Sequence, residues 1–165
     1  MSLRIWRFVS LYLTAITLAL TFAHLLEMPQ KMQYGEALYL SVQHSLYLYF
    51  AWVGAFAESG AVIALIALSF QVRRRPGIFG PTLLAAVCVA AGLAVWFGFV
   101  STANTKMAEW RGIPLPPDWM AVRRQWEWGH AASAVLDLVG FAALLISVLV
   151  DTKPYTQKSA GAAGD

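Results

Sequence analysis

The chain has 165 residues, 59% of them hydrophobic and only 13% charged, with a formal net charge of +3. A soluble domain carries about 25% charged residues, so this composition excludes an ordinary water-soluble fold and points to lipid. The single cysteine, Cys88, excludes an intrachain disulfide framework or a cysteine-built zinc site. The basic residues flank apolar runs and form no aromatic-interleaved patch, so no nucleic-acid partner is expected.

The first apolar run, Phe8–Leu26, follows Arg4 and Arg7 and so imitates a signal peptide. Phe22-Ala23-His24 offers no small-x-small cleavage site, and the run carries a regular polar stripe, so it reads as a transmembrane helix. Ser10, Thr14, Thr17, Thr21 and His24 are spaced alternately four and three apart, which sets them on one face. His24 and Glu27 form a His-x-x-Glu pair at its end.

The second run, Tyr39–Phe70, carries His44 and Glu58. It exceeds the roughly 20 residues that cross a bilayer. Two heptads separate His44 from Glu58, so on a regular helix they share a face but stand about 21 Å apart. The third run, Phe79–Thr102, holds Cys88, read as a small buried apolar residue, and Gly92 and Gly98 among alanines. Those glycines offer close packing surfaces, within the bundle or in a homo-oligomer. The fourth run, Trp126–Val150, opens on a Glu127-x-x-His130 pair, and Ser133 and Asp137 continue that face. The expected fold is all-α: an integral membrane four-transmembrane-helix bundle over residues 1–151, then a polar, disordered tail over 152–165.

Arg73-Arg74-Arg75 is the most compact basic run, and with Arg4, Arg7, Lys153 and Lys158 it places both termini in the cytoplasm, in the cell's inner membrane. Lys31, Lys106, Arg111, Arg123 and Arg124 then belong to the outer side. The connection Ala103–Gln125, with three prolines, Trp110 and Trp119, reads as an interfacial cap or as a lid.

An ionisable group at membrane depth costs about 2.5–3.5 kcal/mol on insertion scales and points to function. Counting about 1.5 Å per residue from Arg7, Arg73 and Asp151 brings His24, Glu27, Glu58 and His130 to similar depths, with Glu127 or Asp137 closing the cluster and His44 toward the mouth. His24, Glu27, Glu58, Glu127 and His130 are the candidate metal ligands, and imidazole with carboxylate suits iron, manganese, zinc or copper. Di-metal bundles use two Glu-x-x-His helices, and here one pair runs in reverse. A mononuclear site, a metal-free Glu–His network, and a non-covalent haem b held by His24 with His130 or His44 all remain open. His44, Tyr47 and Trp52 are candidates for lining a cofactor or a flat apolar substrate.

Three stretches carry a resemblance: Phe22-Ala23-His24-Leu25-Leu26-Glu27-Met28-Pro29, the Gln43-His44 pair, and Trp126-Glu127-Trp128-Gly129-His130-Ala131-Ala132-Ser133. From about Leu11 to Val150 the chain resembles the anthrone-oxygenase-like family of small four-span membrane proteins. That resemblance implies oxidation of polyketide anthrones to anthraquinones by molecular oxygen. No feature of this chain selects a tricyclic phenol. The expectation is a membrane oxidoreductase acting on a hydrophobic small molecule drawn from the lipid bilayer, with His24, His130 and Glu58 as catalytic candidates. A haem- or metal-binding electron-transfer subunit and a small proton-coupled transporter, with Glu58 and Asp137 as relay, are the alternatives.

Overall fold

The computed structural model describes residues 2–111 and 113–151, and all regular structure among them is helical. Helix α1 spans Leu3–Lys31, α2 Glu36–Ser45 and α3 Leu48–Val72; α4 spans Pro76–Val95, α5 Ser101–Glu109 and α6 Trp119–Asp151. A single π-helical segment, Trp96–Val100, joins α4 to α5, so that Pro76–Glu109 runs on as one helix of 34 residues. Four helices are long and apolar enough to cross a bilayer, the architecture of an integral membrane protein. The expected polar tail lies outside the described residues.

Two expected boundaries are corrected. The second run is two helices, broken at Leu46 and Tyr47. An apolar run this long overshoots the hydrocarbon, and α2, separated from the span by the break, meets α5: His44 Nε2 lies 3.1 Å from the Met107 carbonyl oxygen. The connection expected over Ala103–Gln125 is also largely helical, because α5 carries the third span on to Glu109 and α6 begins at Trp119. A short proline-rich turn remains. Pro76 opens α4 in its first turn, where its missing N–H costs nothing.

Helix α1 is polar inside and apolar outside. The buried residues of α1 are Ser10, Thr14, Thr17, Thr21, His24 and Lys31, while Phe8, Tyr12 and Leu26 face outward. Lipid is as apolar as leucine, so a membrane helix gains most by turning small polar groups to its neighbours. Helix α6 packs against both α1 and α4, and α3 packs against α1 and α4. At Gly140 an added Cβ would meet Cys88 Cβ and Val89 Cγ2 at 3.2 Å, so α4 and α6 approach closely there. Arg7 and Arg75 both pair with Asp151, tying α1, α4 and α6 at one end.

The apolar core divides in two. One cluster, with Leu65, Leu68, Val72, Ile78 and Leu144, lies toward the Asp151 end, and the other gathers Tyr39, Val100, Met107, Trp110, Val122 and Trp126. Neither cluster includes the buried ionisable groups His24, Glu58, His130 and Asp137.

Candidate functional site

His24 on α1 and His130 on α6 meet with ring centroids 4.3 Å apart and planes inclined by 43°. Their exposures are 5% and 8%. Aromatic rings surround them: Trp126 stands 5.0 Å from His24 and 4.2 Å from His130, Tyr47 4.7 Å from His24, and Phe50 5.3 Å from His24. Trp126 is held in place by its own indole N–H, which donates to Asn104 Oδ1 at 2.7 Å. The imidazoles form part of the wall of a cavity of about 330 Å³, together with Tyr47, Phe50, Glu58 and Trp126. Its polar wall is completed by Gln43, His44, Asn104 and Arg111.

The five candidate metal ligands do not assemble as one set. Glu27 lies 3.9 Å from His24 Nδ1 and accepts a hydrogen bond from the Tyr47 hydroxyl. Glu127 turns to Lys31, whose Nζ is 3.0 Å from Oε1. Glu58 points toward Asp137 beside Gly92. Among the described residues no group of three or more His, Cys, Asp or Glu side chains is arranged to hold a metal ion. Rings whose centroids are 4.3 Å apart leave no room between them for a haem plane, so the His24–His130 axial pair does not fit that cofactor.

Trp52 is corrected as a lining residue: it is 66% exposed and forms no part of the cavity wall. Phe50, Ala51, Gly54, Ala55 and Glu58 turn that face of α3 to the cavity, and Trp52 lies around the helix from them. Tyr47 does line the cavity, and so does His44, although one of its ring nitrogens is engaged by Met107.

Lys31 and Arg123, expected as topology-setting cations in water, are among the most deeply buried side chains described. Lys31 Nζ sits 3.9 Å from the Trp126 ring centroid and 4.6 Å from that of Tyr47. Arg123 donates to the Tyr34 carbonyl oxygen at 2.9 Å and lies 5.1 Å from the Tyr39 ring and 5.4 Å from that of Trp119. Aromatic faces attract cations strongly where water is excluded. Burial and then the Glu127 carboxylate push the Tyr39 phenol above its ordinary range; burial and then its hydrogen bond to Glu27 do the same for Tyr47. Tyr47 therefore stays a proton-bearing donor at neutral pH.

The heptad spacing carried a signal for both cations. Lys31 is seven residues beyond His24, and Arg123 is seven before His130, so each shares its histidine's face.

No protein-family model, curated protein or solved structure matches this chain. The cavity wall brings together groups that can exchange protons. A neutral imidazole offers one accepting and one donating nitrogen, and two are present, beside a phenol and a carboxyl group.

Proposed function

We propose that the protein is a membrane oxidoreductase that oxidises a flat, lipid-soluble substrate bearing an acidic C–H, with molecular oxygen as the oxidant. The observation that carries this reading is the pair of touching imidazoles, His24 and His130, in an aromatic-walled cavity. A volume of about 330 Å³ suits a small ring system, and stacking against Trp126 and Phe50 favours a planar one. The resemblance of the Phe22–Pro29 and Trp126–Ser133 stretches to anthrone-oxygenase-like proteins supports the same chemistry.

One imidazole takes the proton from the activated carbon. The resulting carbanion passes electrons to oxygen. The net change is R₂CH₂ + O₂ → R₂C=O + H₂O: four electrons leave the carbon, one oxygen atom becomes the carbonyl and the other departs as water. No outside reductant is required. Tyr47 lines the cavity and donates its hydroxyl hydrogen bond to Glu27, so its phenol oxygen would accept a hydrogen bond from a substrate hydroxyl. We place the Arg73–Arg75 end in the cytoplasm, which puts the histidine cavity toward the opposite membrane face.

The test is oxygen consumption by protein in lipid nanodiscs supplied with anthrone, with carbonyl formation followed by mass spectrometry. Turnover in the wild type that is lost in His24→Ala and His130→Ala is expected. An inert wild type, or full turnover in both variants, overturns the reading.

A further inference from the structure

Glu58 on α3 and Asp137 on α6 converge beside Gly92 of α4. A Cβ added to Gly92 would lie 3.2 Å from Asp137 Oδ1 and 3.6 Å from Glu58 Oε1. Glu58 is 7% exposed and Asp137 0%, and among the described residues these two buried oxygens have no hydrogen-bond partner. Neither carboxyl group is in a salt bridge among the described residues. Thr21 of α1 donates to the other Asp137 oxygen at 3.0 Å, and Ser133 Oγ donates to the Gly92 carbonyl at 3.2 Å. Cys88 on α4 is the thiol nearby, while His24 and His130 share the cavity with Glu58.

Two ionised carboxylates in such a place would repel with no paired cation to offset them, whereas one proton between them converts the repulsion into a hydrogen bond. Among the described residues no third His, Cys, Asp or Glu joins the pair, which disfavours a divalent ion as the occupant. We infer that Glu58 and Asp137 form a proton-binding site that holds one shared proton, and that the hydroxyl file of α1 connects it to the Arg7–Asp151 end. Ser10, Thr14 and Thr17 continue from Thr21 along the same buried face, and Ser10 Oγ and Thr14 Oγ1 have no hydrogen-bond partner among the described residues. Buried hydroxyls of this kind are completed by ordered water, which carries protons along such a file. The inference does not depend on the oxygen chemistry proposed above.

Infrared spectroscopy of the full chain in nanodiscs tests it directly, with no substrate. At neutral pH the wild type is expected to show a protonated-carboxyl C=O band that shifts in D₂O. That band is lost in Glu58→Gln and, separately, in Asp137→Asn, each checked for native helix content by circular dichroism. In Ser10→Ala/Thr14→Val the band keeps its intensity but exchanges deuterium more slowly. A wild type without the band, or a band that survives in both carboxyl variants, overturns the shared proton. Exchange as fast in the hydroxyl variant as in the wild type overturns the file.

Discussion

Lys31 Nζ stands 3.0 Å from Glu127 Oε1, and the two side chains are only 2% and 0% exposed. Breaking a buried pair strands a charge and costs about 3–5 kcal/mol, far more than the pair gains over a hydrophobic replacement. Lys31→Met should therefore lower the thermal midpoint in detergent sharply. Lys31→Met/Glu127→Leu should recover much of that loss, and fluorescence-detected size-exclusion melting curves provide the comparison. A double variant no more stable than the single one would show that the aromatic contacts of Lys31, not the ion pair, hold it.

The two imidazoles and Trp52 predict opposite results. Removing a positioned general base costs roughly 100- to 10,000-fold in rate. His24→Ala and His130→Ala should each fall in that range in the oxygen assay. Trp52→Ala should leave turnover and substrate affinity unchanged, since Trp52 faces away from the cavity.

Gly129 lies where α6 passes the π-helical segment, and a Cβ there would come within 2.7 Å of Val100 Cγ2. Val100 is fully buried, so the methyl group has nowhere to go. Gly129→Ala should destabilise by about 1–3 kcal/mol, the usual cost of overpacking. Adding Val100→Ala should restore part of it, as read from the same melting curves.

Tyr39 and Tyr47 lead to an alkaline prediction. Their phenols ionise at higher pH in the folded protein than in the unfolded chain, where the value is about 10. A raised folded value means that the unfolded state loses its proton first. The stabilisation is complete below about pH 10 and falls as pH rises through the folded values. Thermal midpoints should begin to drop as pH rises past about 10, and Tyr47→Phe should flatten that drop.

Much of the bundle was legible along the chain, for physical reasons. The alternate spacing of Ser10, Thr14, Thr17, Thr21 and His24 marks the inward face of α1, because a polar stripe on an apolar helix has only its neighbours to turn to. Counting rise per residue set His24, Glu27, Glu58 and His130 at similar depths; of these His24 and His130 do touch, while Glu58 lies near Asp137. What stayed hidden was the reason Lys31 and Arg123 are buried, although heptad spacing sets each on its histidine's face. A cation near a helix end normally extends to water, and only the aromatic faces of Trp126, Tyr47, Tyr39 and Trp119, supplied by other parts of the chain, make burial favourable. The break at Leu46 and Tyr47 was equally hidden, since neither glycine nor proline marks it and the α5 contact of His44 is made across 63 positions of chain.

The π-helical turn at Trp96–Val100 takes one more residue than an α-helical turn, and so rotates everything after it by about 100°. Asn104, Met107 and Arg111 reach the cavity in that rotated phase. The rim of the cavity is thus set by a single residue's worth of extra backbone, on a span that carries neither histidine. Gain or loss of that one residue would re-aim the rim and, through the Asn104 hydrogen bond to Trp126, would also reach the two imidazoles against which that ring packs, so the rim and the imidazole pair are bound to change together.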